Sequence, residues 1–176
     1  GGKNLFTWLL SLRMIPPVVV IIPLFLMFIS LRLVDTWWAL IIAYLLVNLP
    51  FTSLLLFGFF SDIPQDIDDA AMTDGCTRVG AFLRIIFPLA TSGVVAASII
   101  SFIMCWNELL IANALTSSLR AQTIPIYTTQ FMQVERLTTW GPASAGGVVA
   151  LLPILVFASF IEKYLARGLT MGAIKG

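Results

Sequence analysis

The sequence contains no histidine and few charged residues. Of its 176 residues only 11% are Asp, Glu, Lys or Arg, whereas about 25% is usual in a soluble domain. Without histidine the chain cannot build a Ser-His-Asp triad, a histidine-bearing zinc site or a histidine proton relay. The net charge of +1 provides no basic field for binding nucleic acid. The two cysteines, Cys76 and Cys105, form no C-x-x-C pair and fit small packing residues best.

Apolar residues dominate instead, at 59% of the chain, and the mean hydropathy is +0.99. So few charges cannot cover a soluble domain of this length, and we expect lipid to be the solvent. Four apolar stretches predict membrane spans at about 14–31, 37–60, 87–112 and 143–162. The runs are continuous, and lipid offers no hydrogen bonds to the backbone. The prediction is therefore an all-α membrane protein, a polytopic bundle of four transmembrane helices.

Basic residues orient the predicted helices. Seven of the ten Lys and Arg residues fall near the chain termini or in the 61–86 loop, and three fall on the opposite side. Because positive charge concentrates in cytoplasmic segments, we predict that the termini of this chain and the 61–86 loop are cytoplasmic. The chain begins at Gly1 without an initiator methionine or a signal peptide, and we expect that it lacks its natural N-terminus.

The 61–86 loop holds five of the nine acidic residues. Ile63-Pro64 is typical of a helix start, and the aspartates that follow favour the positive end of the helix dipole. Gly75 then permits a sharp turn, since glycine adopts positive φ at no steric cost. An apolar stripe at helical spacing follows, at Val79, Phe82, Leu83 and Ile86. The loop is predicted to be a short acidic helix, a turn, and an amphipathic helix that leads into the third span.

Two alanines, Ala70 and Ala71, lie in the middle of the short acidic helix. Small side chains would let another protein approach the helix backbone closely. A plain connecting loop with well-capped helices explains the same residues equally well. The residues alone leave both interpretations open.

Polar residues also occur within the spans. A polar group in hydrocarbon is costly, so it usually faces other helices or a water-filled path. Asn48 and Asn107 are therefore candidates for lining a translocation pathway, with helix–helix hydrogen bonding as the alternative. We expect Glu108 at the outer membrane interface. Small residues that follow one face of the third and fourth spans predict close helix contacts, at Ala90, Gly93, Ala97, Ser101, Ala143, Gly146, Gly147 and Ala150.

The 61–86 loop resembles the EAA loop of bacterial ABC importer permeases, in the runs Asp69-Ala70-Ala71-x-x-Asp74-Gly75-Cys76 and Ile86-Phe87-Pro88-Leu89. The family pattern has Glu where this sequence has Asp69, and Ala where it has Cys76. Other segments resemble the carbohydrate-type, maltose-type (MalG-like) branch: Arg13-Met14-Ile15-Pro16-Pro17, Asp35-Thr36, Asn48-Leu49-Pro50-Phe51, Trp106-Asn107-Glu108 and the tail from Arg167 to Gly176. The resemblance covers the whole chain.

This resemblance implies that residues 1–176 are part of a type I ABC importer permease domain, which usually has six spans, so about two N-terminal spans are expected to be missing. It implies a permease subunit in a bacterial inner membrane, importing a sugar or polyol. The expected partners are cytoplasmic ATPase subunits that bind ATP and Mg, a second permease subunit and an extracytoplasmic binding protein. The coupling helix that docks on the ATPase would contain Asp69, Ala70, Ala71, Asp74 and Gly75. The tail at 168–176 would lie near the ATPase dimer.

A secondary transporter or channel fragment is the alternative. It would need broken helices or ionisable residues near the midplane, and no Asp, Lys or Arg lies centrally in the second to fourth predicted spans. An intramembrane enzyme is disfavoured by the lack of histidine and of paired aspartates at membrane depth. No Walker-type G-x-x-x-x-G-K-[ST] loop occurs, so ATP would have to be hydrolysed by another chain.

Overall fold

The computed structural model describes residues 2–132 and 140–172, and the side chains of 4–131 and 140–160. All regular secondary structure in these ranges is helical, which confirms the all-α prediction. The elements are α1 (Gly2–Arg13), α2 (Pro17–Ser30), α3 (Trp37–Ser61), α4 (Gln65–Thr73), α5 (Arg78–Ala81), a π-helical turn (Phe82–Ile86), α6 (Phe87–Leu89), α7 (Thr91–Trp106), α8 (Leu110–Leu115), α9 (Ile124–Thr129), a 3₁₀ turn (Gln130–Met132) and α10 (Trp140–Gly172).

Two helices are long and apolar enough to cross a membrane: α3, and the Trp140–Phe160 part of α10. Two further candidates are bent. The axes of α1 and α2 meet at 92°, and the segment Arg78–Leu89 meets α7 at 71°. The described residues therefore contain two candidate spans, or up to four if each bent pair is one span. The four-span organisation remains a prediction.

The bend between α1 and α2 falls at the very start of the first predicted span, 14–31. Its cause is the proline pair Pro16-Pro17. Pro16 adopts an extended conformation, with φ −61° and ψ 133°, because the proline after it disfavours the helical region. Pro17 then begins α2, at a position where its missing N–H is not needed. The predicted span 14–31 thus contains one helix of 14 residues, α2, which the chain enters from α1 through a sharp bend.

The third predicted span, 87–112, is interrupted twice. Pro88 cannot donate a hydrogen bond to the preceding turn, and the chain forms a π-helical turn just before it, in which Phe87 N–H bonds to the Phe82 carbonyl. The helical path bends before it continues as α7. That helix ends at Trp106, six residues before the predicted end of the span.

The second interruption is held by side chains that compete for backbone hydrogen bonds. At the end of α7 the Ile103 carbonyl accepts from both the Asn107 N–H, at 3.0 Å, and Asn107 Nδ2, at 2.9 Å. The two carboxylate oxygens of Glu108 accept from the backbone N–H groups of Ile111 at 2.8 Å and Ala112 at 3.0 Å. Glu108 thereby satisfies the free N–H groups at the start of α8.

Helix α3 lies between α1 and α7, and α7 packs in turn against α10. At the Trp37 end of α3, apolar side chains from four helices form the main core: Leu24, Phe28, Ala39, Leu40, Ala43, Ile111, Ala112, Leu115 and Ile126. Small residues allow the closest contacts elsewhere. A Cβ added at Gly93 would lie 2.3 Å from Phe59 Cγ, and one at Gly146 would lie 2.1 Å from Thr128 Cγ2. The predicted close helix contacts are confirmed at these two glycines.

The connection between α2 and α3 is tied to the segment after α8. Asp35 Oδ1 accepts hydrogen bonds from the backbone N–H groups of Ser117 at 2.8 Å and Ser118 at 2.9 Å. The Asp35 N–H donates to the Leu115 carbonyl at 2.9 Å. Asp35 holds this position with φ of 62°, which few non-glycine residues adopt. The carboxylate thus compensates for a strained backbone.

The hydrogen bonds from Ser118 and Ser117 to the Asp35 carboxylate hold its pKa below the ordinary value of 3.8. The stabilisation is therefore fully present above pH 3.8 and is lost as the pH falls through the lowered pKa of the folded protein. We expect the melting temperature of the wild type to fall more steeply over this acidic range than that of Asp35→Asn, which cannot ionise. Thermal unfolding in detergent between pH 2 and 7 measures this. If the melting temperatures of the two proteins fall by the same amount over this pH range, the role given to the charge is contradicted.

Candidate coupling loop and polar groups within the helices

The loop between α3 and α7 begins with the predicted short acidic helix. Helix α4 follows α3 after three residues, and Pro64 is its N-cap. Asp66 and Asp68 lie in its first turn, where a negative charge is favourable. The sequence prediction of a short acidic helix is confirmed.

Gly75 ends α4 in the conformation that the sequence predicted, with φ of +84°. Its N–H donates to the Met72 carbonyl at 3.1 Å, and the Cys76 N–H donates to the Ala71 carbonyl at 3.1 Å. This pair of bonds is a Schellman motif, in which the residue after the C-cap adopts the left-handed conformation. The turn redirects the chain towards α5, where Thr77 Oγ1 accepts from the Gly80 N–H at 3.1 Å.

The structure separates the two alanines of the loop. Ala70 is exposed, whereas Ala71 is only 3% exposed and lies on the side of α4 that faces α5 and the π-helical turn. The half-buried residues Ile63 and Ile67 precede Ala71 at intervals of four, so this spacing is the sequence signal for the inward face. The small side chain of Ala71 allows close packing within the loop. The small side chain of Ala70 leaves the outward-facing backbone of α4 accessible.

Four of the five predicted coupling residues are exposed: Asp69, Ala70, Asp74 and Gly75. Among the described side chains the loop aspartates form no ion pair, and no described group of His, Cys, Asp or Glu could hold a metal ion. The turn therefore presents carboxylates without an ion-pair partner, next to backbone that the small Ala70 side chain leaves accessible. That chemistry suits contact with donor groups of another protein.

The segment after the turn is amphipathic, but most of its predicted apolar stripe faces outward. Val79, Phe82 and Leu83 are exposed, whereas Ala81 is fully buried and Ile86 is half-buried. The 71° bend before α7 makes this segment cross the end of the helix instead of extending it. An outward apolar face in this position suits lipid or a protein neighbour.

Asn48 joins α3 to α7. Its Nδ2 donates to the Ser101 carbonyl and to Cys105 Sγ, both at 3.2 Å, and one turn along α3 the hydroxyls of Thr52 and Ser101 lie 2.6 Å apart. Asn48 Oδ1 is buried and has no partner among the described residues. The amide nitrogen thus has the helix–helix role that was the alternative to pathway lining. The carbonyl oxygen leaves the pathway prediction untested.

Asn107 is exposed, and its side chain bonds to the Ile103 carbonyl within its own helix end, so no hydrogen bond joins the two asparagines. Arg13 is one of the seven basic residues that the sequence analysis counted on the side of the chain termini and the 61–86 loop. Its guanidinium carbon lies 4.5 Å from the centroid of the Phe51 ring on α3. The proline pair just after Arg13 was the available signal, because it ends α1 there.

Comparison with known proteins identifies the family. Residues 2–171 match the family described as "Binding-protein-dependent transport system inner membrane component". The chain is 36% identical over 168 residues to the sulfoquinovosyl glycerol transport system permease protein of Agrobacterium fabrum, covering 96% of this chain and 59% of that protein. It is 38% identical to the trehalose transport system permease protein of Mycobacterium tuberculosis, covering 100% and 65%. It is 34% identical to the trehalose/maltose transport system permease protein of Thermococcus litoralis, covering 96% and 61%.

The chain spans about three-fifths of the length of these relatives, which are transport permeases. Its apolar helices and the family match agree that it is a membrane protein. The match extends across the acidic turn of α4 and Gly75, where the sequence resembled an EAA loop. This chain belongs to the family of inner membrane components of binding-protein-dependent transport systems, whose fold is a helical type I permease.

Proposed function

We propose that this chain is part of the transmembrane permease subunit of an ATP-driven importer for a sugar or polyol. The solute would be delivered by an extracytoplasmic binding protein, and a second permease subunit would complete the translocation path. The family match supports an importer of this type. The names of the three relatives, which transport trehalose, trehalose and maltose, or sulfoquinovosyl glycerol, support a carbohydrate cargo.

The observation that carries the proposal is the exposed acidic turn of α4, placed directly between α3 and α7. A three-residue connection joins α4 to α3. The buried Ala71 packs α4 towards the segment that leads into α7. A displacement of α4 would therefore move both α3 and α7, because no flexible connection separates α4 from them.

In this proposal, ATP and Mg bind to separate cytoplasmic ATPase subunits, and the closure of those subunits moves α4. Asp69 and Asp74 would accept hydrogen bonds from the ATPase surface, and Ala70 would let that surface approach the α4 backbone. Gly75 would fix the direction in which the chain leaves the helix. The loop and the termini of the chain would face the cytoplasm, as six of the ten Lys and Arg residues indicate when Arg13, which lies against Phe51 of α3, is left out of the count.

A secondary transporter is the second candidate, because it would need broken helices and the structure has them at residues 14–16 and 107–109. The two functions differ in their energy source. Uptake into proteoliposomes that requires internal ATP and persists when ion gradients are collapsed supports the importer. Uptake that follows an ion gradient without ATP would support the secondary transporter.

Charge reversal at Asp69 tests the docking role. We expect Asp69→Lys to reduce the amount of ATPase that co-purifies with the permease by about tenfold or more, since a lost charged contact of about 1.4 kcal/mol has that effect. The control is Asp62→Lys, a carboxylate that is also exposed but lies at the end of α3 and outside the motif. Equal ATPase recovery from the two variants would contradict the assignment of α4 as the coupling helix.

A further inference from the structure

Arg13 lies against the middle of α3. At one end of α1 the Phe6 ring is 4.5 Å from the Phe57 ring, and at the other end the Arg13 guanidinium is 4.5 Å from the Phe51 ring. Helix α1 therefore runs antiparallel to α3, beginning near the C-terminal end of α3 and ending near the centre of α3. At 1.5 Å per residue, Phe51 lies about 15 Å from one end of α3 and about 21 Å from the other. Because a hydrocarbon core is about 30 Å thick, Arg13 lies near mid-depth if α3 spans the membrane.

The contacts of Arg13 do not satisfy its charge. The Phe51 ring attracts the cation, but it cannot accept the five N–H hydrogen bonds in the plane of the guanidinium. Within the part of the chain whose side chains are described, Arg13 has no carboxylate partner, and its side chain is exposed. A cation at this depth is costly in lipid, so it is found facing water or a polar ligand.

The backbone at this depth is irregular as well. Residues 14–16 separate α1 from α2 at the 92° bend, and Met14 is 84% exposed. Non-helical backbone at membrane depth is tolerated where it is buried in protein or lines a water-filled cavity. The exposure of Met14 shows that the described residues do not bury the break.

Polar side chains also lie on α1, the helix that leads to this region. Asn4, Thr7 and Ser11 lie on one side of α1 at helical spacing, and all three are exposed. The half-buried residues Phe6, Leu9 and Leu12 face α3 instead. Helix α1 thus presents a polar stripe on the side turned away from α3, and Arg13 lies on the opposite side, against Phe51.

We propose that Arg13 and Phe51 form a contact point for the solute in a water-filled cavity at the break between α1 and α2. The planar guanidinium would donate to neighbouring oxygen atoms of a hydroxyl-rich solute, and the Phe51 face would pack against the C–H groups of its ring. This inference rests on the proposed permease function. It adds a positively charged point to the pathway, which had been predicted only from Asn48 and Asn107.

Charged thiol reagents test the cavity in the assembled importer. Met14→Cys and Leu49→Cys are made in a background with Cys76→Ser and Cys105→Ser. Leu49 is exposed on α3 at nearly the same depth, on an apolar face. We expect water-soluble methanethiosulfonates to react at Met14→Cys about tenfold faster or more than at Leu49→Cys, because only the first thiol would contact water and ionise.

The charge of Arg13 is tested with the same thiol. At Met14→Cys, we compare the labelling rate of the anionic sulfonatoethyl reagent with that of the cationic trimethylammonioethyl reagent. The ratio of the anionic to the cationic rate should be about tenfold higher than the same ratio for free cysteine. Adding Arg13→Gln should abolish this preference, whereas Arg13→Lys should keep it. Equal labelling at the two positions, or a preference no different from that of free cysteine, would overturn the proposal. The labelling of Met14→Cys against Leu49→Cys and the reagent preference at Met14→Cys need no Arg13 variant. Both tests therefore hold even if Arg13→Gln fails to assemble.

ATP-dependent uptake of trehalose by the unmodified importer tests the proposed function separately. If uptake is present but Met14→Cys shows neither faster labelling nor a preference for the anionic reagent, only the Arg13 inference fails. If Met14→Cys shows both and uptake is driven by an ion gradient instead, the importer assignment fails while the cavity stands.

Discussion

In the proposed importer, we expect Gly75→Val to uncouple solute uptake from ATP hydrolysis without unfolding the permease. Gly75 has φ of +84°, a conformation that costs a β-branched residue about 1–3 kcal/mol. An added Cβ would meet no described atom within 4 Å, so the strain arises from the backbone alone. The chain relieves it by opening the Schellman turn, and the exposed carboxylates of α4 then lose their fixed direction. Solute uptake in proteoliposomes should fall about tenfold or more, since one kcal/mol or two at a coupling step has that effect.

Two other variants isolate the backbone conformation as the cause. Gly58→Val adds the same side chain on α3, where an added Cβ also meets no described atom within 4 Å but φ is not positive. Gly75→Asn adds a side chain that tolerates the left-handed region. Both should transport within about threefold of the wild type, a difference below about 1 kcal/mol. If Gly75→Val transports as well as these two, the turn geometry plays no part in coupling.

Gly93→Leu prevents α3 and α7 from packing. Even the first added atom would lie 2.3 Å from Phe59 Cγ and 2.6 Å from Phe59 Cβ. Rotating the ring cannot relieve the second contact, because Cβ is fixed to the backbone of α3. The helices must separate, and the bonds from Asn48 and Thr52 to Ser101 are lost with the contact. We expect a destabilisation of about 3 kcal/mol or more, the upper range for overpacking a close contact.

Thermal unfolding and the yield of monodisperse permease in detergent measure this effect. Gly141→Leu is the matched control, since Gly141 lies on α10 and an added Cβ there meets no described atom within 4 Å. Gly93→Ala should fall between Gly93→Leu and the wild type. A Gly93→Leu protein that melts at the temperature of the Gly141 control would show that α3 and α7 do not pack closely at this glycine.

Local features of the sequence predicted much of the coupling loop. A proline followed by aspartates indicated the start of α4, and a glycine after Asp74 indicated its end. These signals act within one helical turn, because caps and left-handed residues depend on neighbouring backbone atoms. The EAA-like run then singled out residues that the structure mostly exposes. Ala71 departed from this pattern, since its burial depends on the segment packed against α4.

The bends illustrate the limit of hydropathy. Continuous apolar residues at 14–31 and 87–112 predicted two spans but not the size of any bend, because apolar length measures only the cost of leaving water. Pro16, Pro17 and Pro88 were visible in the sequence. Whether a proline kinks, ends or reroutes a helix depends on which neighbours satisfy the freed carbonyls.

The sequence by itself determined that this chain is an all-α membrane protein with an acidic turn between two helices. It did so because composition, helix caps and short motifs act through solvent and through local backbone hydrogen bonds. Only the tertiary structure decided that Asn48 bonds across to α7, that Ala71 faces inward, and that Arg13 lies on Phe51 near the centre of α3. These facts depend on contacts between residues far apart in the chain, and helical periodicity does not specify which faces of different helices meet.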